Sequence, residues 1–164
     1  MEPYRLRRWR LPSPHEGVRF FTCARPGRSK SKFSQIPDDL VHKWVRGLPG
    51  PETVLVSLLG RKPDETSEFA FYSFCGSFES PEERGRRVSF QVWLDRWHKE
   101  RDIQVVEHPT RDYRAISPDT MAAIASDIVR LALEGRTLVL VDSGGETRSG
   151  AVCRYLRATE CSTS

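Results

Sequence analysis

No two cysteines in this sequence stand at the spacing that would serve a zinc site or a thiol redox pair. The four present, Cys23, Cys75, Cys153 and Cys161, are scattered along the chain. No secretory leader precedes them, so a disulfide framework is not expected, and reduced thiols in a cytoplasmic setting fit better. No metal or other cofactor is implied by the residue pattern. Long apolar runs are missing as well. Nothing approaches the ~20 consecutive apolar residues a membrane span requires, and the Arg-rich start of the chain has no apolar segment behind it. Basic clusters are present, but no helix-turn-helix, zinc-finger or RNA-sheet motif accompanies them.

What is present suits one domain over 1–164, a length comfortable for one and short for two. Hydrophobic residues make up 38% of the chain, and they are gathered into a few periodic segments that can build a core. The net charge of +4 points to anionic partners. A phosphorylated protein or a small phosphorylated ligand is the first expectation, with nucleic acid as a rival. Arg5, Arg7, Arg8 and Arg10 cluster near the start, and Arg25, Arg28, Lys30 and Lys32 follow, interleaved with Trp9, Ser29 and Ser31. These residues support the rival reading of a basic protein- or nucleic-acid-interaction module. Oligomeric state is not legible.

Residues 1–16 hold three prolines and many charges, and predict an irregular basic arm. A short strand is predicted over 18–22, then a helix over 36–45 in which Ile36, Leu40, Val41, Trp44 and Val45 share a face. The run 53–59 is apolar and β-branched, as in a strand buried on both faces. Residues 60–67 resemble a turn, 68–74 an extended aromatic segment, and 80–87 a charged loop. Phe90, Trp93, Leu94 and Trp97 recur at helical spacing and predict an amphipathic helix over 88–100, its tryptophans serving as core. A short strand follows at 103–106. Ser117 before Pro118 marks a helix start, and Gly135 its stop. Residues 137–141 are the most strand-like of the chain, and 149–158 are predicted helical. Strand and helix thus alternate, which predicts an α/β fold with a central, mostly parallel sheet of four to five strands flanked by helices. Ligands of such sheets bind at the carboxyl ends of strands, where the loops 108–117 and 142–149 both emerge.

The second of those loops reads Asp142-Ser143-Gly144-Gly145-Glu146-Thr147-Arg148-Ser149-Gly150. A glycine-rich turn from a buried strand into a helix lets successive backbone N–H groups point inward and form a nest for an anion. The helix adds the positive end of its dipole, and Arg148 offers a planar fork for two phosphate oxygens. Gly144, Gly145, Glu146, Thr147, Arg148 and Ser149 are therefore the predicted phosphate-binding residues.

This loop resembles the phosphate-binding signature of the cysteine-dependent tyrosine and dual-specificity phosphatases, His-Cys-x-x-Gly-x-x-Arg-Ser/Thr-Gly. Gly145, Arg148, Ser149 and Gly150 match its second half. The segment Asp112-Tyr113-Arg114-Ala115-Ile116-Ser117-Pro118, some thirty residues earlier, resembles the loop that supplies the family's general acid. The resemblance runs from about residue 53 to 156 and implies a tyrosine-phosphatase-like fold. It also implies that Asp112 is the proton donor, with Tyr113 and Arg114 contacting substrate. The family's nucleophile has no counterpart. Counting back from Arg148 puts Asp142 in that position, and a loop one residue shorter would put Ser143 there. Cys153, on the apolar side of the following helix, is expected in the core.

The family's thiolate attacks phosphorus. A serine without an adjacent base is a poor substitute. An aspartate adds negative charge to a cradle meant for a dianion, at about 4 kcal/mol for two unit charges ~4 Å apart at an effective dielectric of 20. Asp142 could also fill the nest itself, paired with Arg148, as a built-in phosphate mimic. The expectation is a phosphatase-like domain that binds a phosphorylated or anionic ligand in the 142–149 loop with little or no hydrolysis. The rival enzyme reading is an active phosphomonoester hydrolase whose nucleophile has been substituted, or is Asp142 or Ser143.

Overall fold

The computed structural model describes residues 6–26, 38–59, 90–110 and 114–162. In chain order the elements are β1 (Arg7–Trp9), β2 (Phe20–Ala24), α1 (Asp38–Arg46), β3 (Thr53–Ser57), α2 (Phe90–Trp97), β4 (Gln104–Glu107), α3 (Pro118–Leu133), β5 (Thr137–Asp142) and α4 (Thr147–Ser162). The strands form one sheet in the order β1-β2-β5-β3-β4. All neighbouring pairs are parallel except β1 with β2. The α/β architecture with a mostly parallel sheet is the one the sequence pattern predicts.

Successive side chains of a strand face opposite sides, so each central strand supplies two cores. Leu55, Val139 and Val141 meet Trp44 and Val45 of α1 and Phe90 and Trp93 of α2 on one face. Val54, Val56, Leu138 and Leu140 meet Ile124, Ile128 and Leu131 of α3 and Val152 and Leu156 of α4 on the other. This two-sided burial is why β3 and β5 are apolar at nearly every position. Both tryptophans of α2 pack with the core: Trp93 is buried and stacks on Phe90 with ring centroids 5.4 Å apart, and Trp97 is partly buried against the same cluster.

Helix α3 begins as its sequence signals. The Ser117 side chain accepts a hydrogen bond from the Thr120 N–H at 3.3 Å, and Pro118 opens the helix. Ser117→Ala is expected to cost about 1 kcal/mol in urea unfolding. Gly135, with φ +74°, follows the helix end, a conformation that favours glycine.

Several boundaries differ from the sequence expectation. Residues 7–9 are not irregular but form β1, because pairing with β2 satisfies their backbone groups. The strand expected over 18–22 occupies Phe20–Ala24. The helix expected over 88–100 ends at Trp97 and gives way to a 3₁₀ turn at Lys99–Arg101, with Asp102 left-handed at φ +50°. Helix α4 starts at Thr147, earlier than 149, so Arg148 lies in its first turn. The aromatic segment 68–74 and the charged loop 80–87 lie outside the described residues. Among the described residues no helix is long and apolar enough to cross a membrane.

Where α1 meets the end of α2, His42 Nδ1 and His98 Nε2 are 2.7 Å apart. One must donate and the other accept, so the pair is incompatible with double protonation. Burial holds His98 below the ordinary 6.5. The nearby His42, Arg46 and Arg101 act in the same direction, and Glu100 opposes them. The unfolded chain therefore takes up a proton at a higher pH than the folded one. This contribution to stability is complete above pH 6.5 and is lost as pH falls toward the folded value. The melting temperature is expected to drop between pH 7 and 5.5 by more in the parent than in His98→Gln; equal drops would remove His98 as the cause.

The carboxyl ends of β2, β5, β3 and β4 share one edge of the sheet, and the chain continues to pair beyond the strands there. Arg25 N–H donates to the Asp142 carbonyl (2.9 Å), Leu58 N–H to the Val141 carbonyl (2.8 Å), and Thr110 N–H to the Leu58 carbonyl (3.1 Å). These strand exits build the candidate site.

Candidate anion-binding site

Strand β5 ends at Asp142, and α4 begins at Thr147, after four intervening residues. The turn between them is pressed against the end of β2. Gly145 has φ +74°, and a Cβ at this position would lie 2.6 Å from Ala24 N and 2.8 Å from Cys23 C. Backbone conformation and close approach both require glycine here.

The Asp142 side chain is 1% exposed. Its Oδ1 accepts a hydrogen bond from the Gly145 N–H, and its Oδ2 accepts one from the Ser149 N–H at 2.9 Å. Amides at a helix start have no partner within the helix. Here a carboxylate supplies one from inside the turn, in the positive field of the α4 N-terminus. The Ser149 hydroxyl is buried beside it, with no hydrogen-bond partner among the described residues.

Arg148 is 4% exposed and ties three strand exits together. Its Nη1 donates to Thr110 Oγ1 (3.0 Å) and to the Leu58 carbonyl (3.3 Å), and its Nη2 donates to Ser143 Oγ (3.0 Å). Thr110 Oγ1 in turn donates to the Leu58 carbonyl at 2.5 Å. The guanidinium is thus oriented by groups after β3, after β4 and after β5. Its hydrogen bonds with these groups are made to neutral oxygens, and the Gly145 and Ser149 amides hold the Asp142 carboxylate.

The expected phosphate-binding residues therefore do come together, but not equally. Ser143, Gly144 and Gly145 are half-buried, Glu146 and Thr147 are exposed, and Arg148 and Ser149 are buried. Arg114 is exposed, and Asp112 and Tyr113 lie outside the described residues. Thr110 and the Leu58 carbonyl were not legible as site groups. Nothing in their spacing marks them as partners of an arginine 38 and 90 residues away.

Neither Cys23 nor Cys153 has the character of a nucleophilic thiol. Burial pushes the Cys23 thiol up to about 12; a hydrogen bond with Trp44 opposes this, and the charge of Asp142 adds to it. Burial also pushes Cys153 up to about 12 against the pull of Arg157, Arg154 and Arg7. Cys153 packs in the α3–α4 core, as expected. Both thiols are protonated at neutral pH, and the thiol is not the nucleophilic form.

No family model matches the chain, and the comparison with curated proteins gives no match either. Among solved structures the chain is similar to Tk-PTP in the active form, with 19% identity and a TM-score of 0.44, over 82% of this chain and 63% of that one. It is also similar to a mutant form of Tk-PTP, with 22% identity and a TM-score of 0.41, over 73% of this chain and 59% of that one. The chain thus spans less than two thirds of the length of these structures.

Proposed function

We propose that this chain is a tyrosine/dual-specificity-phosphatase-like domain that binds a phosphorylated or otherwise anionic ligand at the 142–149 loop and hydrolyses it little or not at all. The observation that carries the reading is the Asp142 carboxylate. It stands six residues before Arg148, where the family signature has its cysteine, and it accepts hydrogen bonds from the Gly145 and Ser149 amides. A carboxylate held there is an internal anion in a cradle shaped for an external one. A carboxylate supplies no thiol chemistry, so phosphoryl transfer lacks the family's nucleophile.

On this reading Arg148, Ser143 and the loop amides hold the ligand, and Asp142 competes with it. By resemblance to the family, Asp112 is assigned as proton donor and Tyr113 and Arg114 as ligand contacts. Isothermal titration with tungstate or orthovanadate tests this. Binding is expected to be weak in the parent and at least tenfold tighter in Asp142→Ala. Adding Arg148→Ala to the second variant is expected to abolish it. An Asp142→Ala protein that is folded and binds no better than the parent would overturn the reading.

A further inference from the structure

Two groups of arginines can be compared among the described residues. Some are held by specific acceptors: Arg101 by the Leu48 and Pro49 carbonyls, Arg136 by the Glu52 carbonyl, and Arg130 by Asp127 and Glu134. The second group is Arg7, Arg8, Arg10, Arg19, Arg154 and Arg157, all exposed. None of these six forms an ion pair among the described residues. They gather around the β1 edge of the sheet and the adjoining face of α4.

Aromatic rings order this charge. The guanidinium carbons of Arg7 and Arg157 lie 5.3 and 5.1 Å from the centroid of the Trp9 ring. On the other side of the sheet edge those of Arg8 and Arg19 lie 6.0 and 5.8 Å from the Phe21 ring. Trp9 itself is fixed, its Nε1–H donating to Thr22 Oγ1 at 3.1 Å. Along α4, Gly150, Arg154 and Arg157 recur at helical spacing, and an Arg154 terminal nitrogen lies 3.3 Å from the position a Gly150 Cβ would take. The strip therefore runs for roughly 10 Å along the helix and continues onto β1 through Arg7 and Trp9. A cavity of about 370 Å³ lined by Arg8, Trp9, Arg10 and Glu16 adjoins it.

We propose that this strip of Arg154, Arg157, Arg7 and Trp9 binds single-stranded nucleic acid. Uncompensated arginines track a phosphate backbone, while guanidinium planes and indole rings offer flat surfaces on which unstacked bases lie. A duplex is a poorer fit, because no described helix or ribbon projects from the strip to enter a groove. Arginines that only protected the edge strand from pairing would not need to be held on rings and continued onto a helix. The proposal does not depend on the anion loop.

Fluorescence anisotropy with a labelled oligothymidylate of about 15 nucleotides tests it. If four phosphates are neutralised, log K in the parent falls against log salt with a slope of about −3. In Arg154→Ala/Arg157→Ala the affinity drops tenfold or more and the slope shrinks by about 1.4. Trp9→Leu, checked for folding by its melting temperature, weakens binding of the oligonucleotide but not of polyglutamate. Arg130→Ala, which alters an arginine in the ion-paired group, binds like the parent. Three results would each overturn the proposal: no binding by the parent at low salt, a double arginine variant that binds as tightly as the parent, or polyglutamate displacing the label as well as unlabelled oligonucleotide does. The last would assign the strip to an acidic protein segment instead.

Discussion

Gly145→Ala is expected to destabilise the protein by about 2–5 kcal/mol, the largest effect of any single methyl group in the anion loop. Two costs combine. An L-residue at φ +74° is strained, by roughly 1–2 kcal/mol. The added carbon would also sit 2.6 and 2.8 Å from backbone atoms of Ala24 and Cys23, which belong to a paired strand and cannot rotate away. Forcing a methyl into such a space costs on the order of 1–3 kcal/mol. Gly135→Ala provides the comparison, because Gly135 has the same φ of +74° with nothing within 4 Å of its Cβ position. It should show only the strain. At a urea m-value of ~2 kcal/mol/M the Gly145 variant unfolds roughly 1–2.5 M earlier than the parent. Equal midpoints for the two variants would mean that the contact with β2 does not constrain the loop. Loss of the turn would also release the Asp142 carboxylate from one of its amides.

The second large effect is a gain of activity. Asp142→Cys is expected to raise hydrolysis of p-nitrophenyl phosphate by on the order of 10²-fold or more, while Ser143→Cys leaves it at the parent level. The amides that now hold the carboxylate would face a thiol at the start of a helix, with Arg148 nearby. Both influences favour the thiolate. Removing the carboxylate also vacates the position a phosphoryl oxygen needs, and the repulsion of about 4 kcal/mol between an aspartate and a ligand charge ~4 Å away disappears. Ser143 is a different position: it is half-buried and its oxygen accepts from Arg148 Nη2, whereas the Gly145 and Ser149 amides donate to Asp142. Activity in the Ser143 variant alone would place the family register one residue later and remove Asp142 from the nucleophile position. Vanadate inhibition of the gained activity would tie it to the loop. Inactivity of both variants, each folded, would leave the loop as an anion cradle without the family's chemistry.

The sequence by itself determined the sheet and the helices that flank it. The runs at 53–59 and 137–141 are largely apolar on both strand faces, which places them at the centre of a covered sheet. Ser117-Pro118 and Gly135 bracket α3 by local backbone chemistry that needs no tertiary partner. The spacing from Asp142 to Arg148 located the candidate site for the same reason, since a turn between a strand and a helix is a local structure. The tertiary structure decided what those residues do there. It turned residues 7–9 from an expected irregular arm into an edge strand, because only β2 could supply the hydrogen bonds for which their own sequence carries no signal. It directed Arg148 toward Thr110, the Leu58 carbonyl and Ser143, groups brought together by three separate strand exits. It also set the Asp142 carboxylate among its own loop amides. Local periodicity records which face of an element is apolar, whereas the partners of a buried charge are fixed by where distant segments of the chain end.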